Sequence, residues 1–237
     1  MDFSNTSSKS GLIQDCETLL GLQDGAISGD TTLLKTFTRL INIWYRRVNG
    51  WIWDVCGTWE YDDANYTDLP VATTNLVADQ QDYELPSTAQ IILKVRILDK
   101  DGNPYELTPM SFIGMTSDTD NRGMPTKYEL RGRSIILNKL PTSDYVTLTD
   151  GLEVYFSRDI DEFASTDTTK EPGFVSNFHR LLSLGASYDY STSYEMFDKA
   201  NFLKGQINEM IGELRRFYGK AHKDMKTRIK PRRQCYL

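Results

Sequence analysis

Hydrophobic positions along the chain follow two different periods, and the changeover divides it into three stretches. Leu12, Ile13, Cys16, Leu19 and Leu20 recur at helical spacing, and Gly21 supplies a stop, which predicts a short first helix. A second helix begins where Asp30 can cap the free amides. Leu33, Leu34, Phe37, Leu40, Ile41, Trp44 and Val48 then hold its three-and-four rhythm. From about residue 71 to 158 the period falls to two, with Ile91, Leu93, Val95 and Ile97 lining one face of a strand. Asp101-Gly102 marks a reversal, and Tyr105 and Leu107 lie on the return. Arg131-Gly132-Arg133 joins residues 128–130 to 135–137, and Leu152 to Phe156 alternate in the same way, so this stretch reads as antiparallel hairpins.

Helical spacing resumes after Glu171-Pro172-Gly173, where proline suits a first turn. Phe174, Phe178, Leu181 and Leu182 form its stripe, and Gly185-Ala186-Ser187 is a small-residue patch that lets another helix approach closely. Thr192 and Glu195 have capping-box spacing ahead of Phe197, Ala200, Leu203, Ile207, Met210, Leu214 and Phe217. A helix from about 193 to 220 would be roughly 40 Å long. The fold expected is α+β: a bundle of N- and C-terminal helices carrying an inserted antiparallel β domain as a separate lobe, with an extended C-terminal tail. Its parts are residues 1–66, 67–160, 161–222 and a basic arm at 223–237.

Composition narrows the function. The 237 residues include 27 Lys+Arg against 33 Asp+Glu, a net charge of −6, which argues against a histone-like protein that coats DNA with its whole surface. No run of about 18 apolar residues occurs, and the leader MDFSNTSSKSG lacks the charged start and apolar core of a signal peptide. A soluble product made in the cytoplasm, with no membrane partner, is expected. Cys16, Cys56 and Cys235 are odd in number and far apart, as in a reduced compartment, and with only His179 and His222 they make no zinc spacing.

Catalytic motifs are absent: there is neither G-x-x-x-x-G-K, nor G-x-G-x-x-G, nor G-x-S-x-G. His179 falls within a predicted amphipathic helix and reads as a bundle-surface or capping residue. Asp118, Asp120, Gly123 and Glu129 occupy EF-hand positions 1, 3, 6 and 12, but Arg122 stands where position 5 needs an oxygen ligand, so the stretch reads as a solvated loop. Asp159, Asp161, Glu162 and Asp167 cluster without ligand spacing. The expectation is a protein with no catalytic residue, metal or cofactor.

Two features point to contacts instead. Trp51, Trp53, Trp59, Tyr61 and Tyr66 crowd one segment among Asp54, Glu60, Asp62 and Asp63. Bases stack on aromatics in single-strand binders, but those platforms lie in basic grooves. The acidic setting favours core or subunit contacts, with Trp51, Trp53, Trp59 and Tyr61 as the candidates. At the other end, residues 215–233 carry nine cations against Asp224 alone, a net of +8, leaving −14 for the rest of the chain. Pro231 cannot continue a helix, so the segment reads as a basic arm ending in an apolar Cys235-Tyr236-Leu237 tip. A flexible solubilising tail and a DNA contact are the competing readings.

The order of short segments is informative. Thr31 to Asn42 leads through the aromatic stretch to Gln81-Asp-Tyr-Glu-Leu-Pro86, then to Gly102-Asn-Pro-Tyr-Glu-Leu-Thr-Pro109 and Pro125-Thr-Lys-Tyr-Glu-Leu-Arg-Gly132. Ile135-Ile-Leu-Asn-Lys-Leu-Pro141, Tyr155-Phe-Ser-Arg158, Lys170-Glu-Pro-Gly-Phe174 and Phe178-His-Arg-Leu-Leu182 complete it. Over about residues 10 to 220 this resembles the head-to-tail adaptor (connector) proteins of tailed double-stranded DNA bacteriophages.

The resemblance implies a homo-oligomeric ring, commonly of twelve copies, in the neck of the virion. The ring would sit below the portal protein, pass double-stranded DNA without reading its sequence, and offer a docking surface to the next neck or tail protein. It also implies a portal-binding arm, which falls here on Lys226, Arg228, Lys230, Pro231, Arg232, Arg233, Tyr236 and Leu237. An acidic body suits a channel that must not hold its DNA. The alternatives are a DNA-binding module using the basic tail and, less favoured, a hydrolase using the acidic loop at 159–167.

Overall fold

The computed structural model describes residues 1–56, 62–111, 121–145 and 148–221. The protein is α+β, and it divides into a helical unit drawn from residues 1–57 and 162 onward, and a β unit formed by 58–161.

The helical unit contains α1 (Leu12–Leu20), α2 (Thr31–Cys56), α3 (Arg180–Ser193) and α4 (Phe197–Ala221). Gly21 ends α1 in the left-handed region at φ 67°, where a Cβ would be strained. Asp30 caps α2, its Oδ1 accepting the amides of Thr32 at 2.7 Å and Leu33 at 3.0 Å. α2 runs on past Val48 to Cys56, so Trp51 and Trp53 lie on a helix. α3 is the central element, packed against α1, α2 and α4, and its inner face is lined by Leu181, Leu182, Leu184 and Ala186. At Gly185 the indole of Trp44 lies where a side chain would be: an ideal Cβ there falls 2.0 Å from Trp44 Cδ2. The small-residue patch therefore admits an aromatic ring from α2.

Two expected helix starts are displaced. Pro172 opens no helix, because the backbone groups around it bond elsewhere: the Lys170 carbonyl accepts from Phe3 N–H, Gly173 N–H donates to the Tyr45 hydroxyl, and Val175 N–H donates to the Tyr218 hydroxyl. A single 3-10 turn over Ser176–Phe178 follows before α3 begins at Arg180. Thr192 and Glu195 form no capping box. Thr192 Oγ1 bonds back to the Tyr188 carbonyl inside the last turn of α3, and Glu195 sits at φ 59° in the sharp turn before α4.

The β unit holds β1 (Val71–Thr74), β2 (Asp82–Glu84), β3 (Ala89–Leu98), β4 (Pro104–Glu106), β5 (Thr108–Pro109), β6 (Lys127–Arg131), β7 (Ser134–Leu137) and β8 (Leu152–Arg158). They form two sheets, ordered β1-β8-β3-β4 and β2-β7-β6-β5. Every pair is antiparallel except β5–β6, so the expectation of a wholly antiparallel domain is corrected. The cause is a strand that changes sheets. Leu107 still bonds to Val95 across the first sheet, whereas Thr108 and Met110 bond to Thr126 and Tyr128 in the second. β3 also departs from simple alternation: its pairing with β8 slips between Ala89 and Ile91 and again between Ile92 and Lys94. The bulges turn Ile92 toward the core and leave Ile91 45% exposed, while Val95 and Ile97 are buried as the pattern requires. Leu76, Tyr83, Leu85, Leu107, Tyr128, Ile135, Leu137, Leu152 and Val154 complete this core.

Candidate functional site

Of the expected contact aromatics, Trp51 and Trp53 stand half-buried on the last turns of α2. Trp51 meets Trp44 edge-on, with ring centroids 6.1 Å apart. Trp53 Nε1 donates to Asn49 Oδ1 at 2.9 Å, and Trp44 Nε1 to Asp189 Oδ2 at 2.8 Å, so two of these indoles have committed their donors within the helical unit. Trp59 and Tyr61 lie outside the described residues, as does the whole arm from Lys226 to Leu237, including Arg228, Lys230, Pro231, Arg232, Arg233 and Tyr236.

The outward face of α2 lines an open cleft of about 340 Å³. Lys35, Arg39, Ile43 and Arg46 follow one another along the helix, and residues Glu162–Ser165 form the facing wall. Asn42 fixes that wall by exchanging two hydrogen bonds with the backbone of Phe163, at 2.9 and 3.0 Å. Arg46 reaches across to Glu162 at 2.6 Å but stays 62% exposed. Lys35 and Arg39 are also exposed, so the cleft is a cationic strip on an acidic chain. In the β unit, a second cleft of about 380 Å³ opens between the edge strands β1 and β2, lined by Thr73, Thr74, Tyr83, Leu85 and Val154 among others.

Two carboxylates of the acidic loop serve local structure, and Glu162 pairs with Arg46 of α2. Asp159 Oδ1 accepts the Ile160 amide, and Asp167 Oδ2 accepts that of Ala164. Among the described residues, no three His, Cys, Asp or Glu side chains converge as metal ligands, and no helix is long and apolar enough to cross a membrane. Arg122, the cation in the EF-hand-like stretch, faces Asp79 at 3.4 Å.

Two buried charges carry no signal in the sequence pattern. Glu17, 2% exposed, accepts the amides of Gly25, Ile27 and Ser28 and so holds the connection from α1 to α2. Arg158, its side chain 4% exposed, meets Asp62 and Asp68 at 3.2 Å each and lies 4.3 Å over the Tyr66 ring. Both are scaffold ties that hold loops against helices or strands.

His179 departs from its expected surface position. It precedes α3 and is 1% exposed. Its Nε2 lies 2.7 Å from the Phe174 carbonyl and must carry the proton, which leaves Nδ1 to accept from the Met1 nitrogen at 2.8 Å. Burial lowers its pKa below the ordinary 6.5. The neutral ring therefore stabilises the fold fully above about pH 6.5, and that contribution is lost as pH falls through the lowered value. Replacing His179 with Gln should flatten the melting-temperature profile between about pH 7 and 5 while lowering stability at neutral pH. An unchanged slope would show that other groups set the acid limit.

No protein-family model matches this chain, and no curated protein does. What the geometry offers is contact surface: a cationic helix face, half-buried tryptophans, and an α3–α4 turn exposing Tyr194 (60%) and Phe197 (62%).

Proposed function

We propose that the chain is a structural head-to-tail adaptor, one subunit of a ring in the virion neck. The ring lies below the portal, extends the DNA channel and presents the docking surface for the next neck or tail protein. The observation that carries this reading is the order of parts. Both ends of the chain contribute to the helical unit, and one continuous stretch between them makes the two-sheet β unit, as the resemblance of residues 10 to 220 implies. Exposed aromatic and aliphatic side chains on the helical unit supply area for neighbours, and they support the ring without fixing its copy number. The strongly basic stretch at 215–233 is suited to reach an acidic groove on the portal, while the remainder, at −14, has little attraction for passing DNA. No catalytic group, metal or cofactor has a part in this role.

Mass measurement of the purified protein, with and without the portal of the same particle, tests it. The adaptor reading expects a discrete multimer on the portal, lost on deletion of residues 222–237. A chain that stays monomeric with portal present overturns it. The +8 segment also favours a second reading, a DNA-binding module. That reading requires duplex affinity falling steeply with salt, a slope removed by the same deletion, and lack of binding at low salt eliminates it.

A further inference from the structure

We infer that neighbouring copies join through α2 of one and α4 of the next, packed antiparallel; the inference rests on the ring reading above. The two helices present unlike outward faces. α2 has no acidic residue before Asp54, and its exposed line runs Lys35, Arg39, Ile43, Arg46. The exposed line of α4 runs Asp198, Phe202, Gly205, Glu209, Gly212, with Glu213 beside it and Arg216 at its end. One face is cationic with an exposed isoleucine, and the other carries three carboxylates, one arginine and an exposed phenylalanine.

Their spacings match. Laid antiparallel, a single register sets Lys35 against Glu213, Arg39 against Glu209, Ile43 against Gly205 and Arg46 against Phe202. Each series spans twelve residues, about 16 Å of helix from first to last. Opposite charges meet twice, Arg46 can lie on an aromatic face, and Asp198 falls near Arg46 and Arg47. Arg216 falls opposite Thr32, one turn from Lys35, and this like-charge approach offsets part of the gain.

Ile43, 37% exposed, meets Gly205, and Phe202 is 65% exposed. Among the described residues nothing lies within 4 Å of where a Cβ of Gly205 or Gly212 would be, so neither glycine makes room for any of them. Glycine weakens a helix interior, and a knob from a neighbour entering the hole at Gly205 gives that residue a use. Because the two faces differ, the contact is head-to-tail. Repetition of such a contact closes a ring or extends a filament, and does not stop at a two-fold dimer.

Cross-linking tests the register. Two variants, Ile43→Cys and Gly205→Cys, are each made in a Cys235→Ser background; the remaining cysteines, Cys16 and Cys56, are buried. Mild oxidation of the portal-assembled protein should give a disulfide-linked dimer when the two variants are mixed, and at least ~10-fold less from either alone. Arg39→Glu should reduce assembly on the portal about tenfold, and Glu209→Arg in the same chain should restore most of it. Wild-type rings with no mixed cross-link and indifference to both reversals overturn the inference while leaving the adaptor reading intact. A wild-type chain that forms no ring with portal overturns both.

Discussion

Gly185→Ala should destabilise the helical unit by about 3 kcal/mol, read as an early midpoint in guanidinium unfolding followed by far-UV circular dichroism. The new methyl would sit 2.0 Å from Trp44 Cδ2 and 2.5 Å from Cε2 and Cε3, closer than real Cβ contacts come. The indole has little freedom to retreat. It is 5% exposed, bonded to Asp189, crossed edge-on by Trp51 and Tyr188, and covered by the Arg47 guanidinium at 4.8 Å. Relief would require α2 and α3 to separate. Gly205→Ala supplies the contrast: it meets nothing within 4 Å and should stabilise α4 by up to about 1 kcal/mol, while hindering the inferred neighbour contact. A loss below about 1 kcal/mol for Gly185→Ala would mean that Trp44 does not occupy that hole.

Arg158→Ala should cost the β unit a similar amount, about 3 kcal/mol, since it removes the cation from a buried cluster and leaves its partners behind. Arg158 Nη2 donates to the Asp68 backbone carbonyl at 2.7 Å, Nη1 to the Asp68 carboxylate at 3.2 Å, and the guanidinium stacks on Tyr66. Its Nε approaches Asp62 Oδ1 at 3.2 Å without hydrogen-bond alignment, so that contact acts through charge. Asp68 is 79% exposed and regains water on truncation, which places most of the loss on Asp62 and the orphaned carbonyl. Burial already raises the Asp62 pKa above 3.8, with Arg158 opposing the shift and Asp63 and Asp68 adding to it. The folded state therefore takes up that proton more readily than the unfolded state. Its contribution is favourable at low pH and lost as pH rises through the raised value. Without Arg158 the value climbs further, so the penalty of the variant should shrink as pH falls toward about 4. A penalty independent of pH would place the damage in lost packing.

What the sequence made legible follows from how local each signal is. Asp30 before a helical stripe, Gly21 after one, and the reversal at Arg131-Gly132-Arg133 each depend on a few neighbouring residues, and each is found where its spacing places it, the strands of the hairpin extending to pair Arg131 with Ser134. The Thr192–Glu195 and Pro172 signals are just as local, but competing bonds win: Tyr218 takes an amide near Pro172 from across the fold, and Thr192 bonds back one turn into α3. The bulges in β3 and the change of sheet at Leu107 are set by partners about 12 to 70 residues away, which no period of two can register. The same holds for Glu17 and Arg158, whose burial depends on loops closing over them.

The candidate site divides along the same line. Trp51 and Trp53 were visible as aromatics, but their place on α2 required knowing that the helix continues to Cys56. His179 was visible as one of two histidines, yet its burial comes from Phe174 and the N-terminal segment folding around it. The opposed charges of α2 and α4 lie in the sequence throughout, but only the packing tells which residues of each helix face outward.

Cryo-electron microscopy of the intact virion neck tests the adaptor claim most directly. It should find this polypeptide as a closed ring directly beneath the portal, with residues 226–237 of each copy held against portal subunits. A neck that lacks the chain, or holds it as isolated copies with those residues touching nothing, contradicts the account.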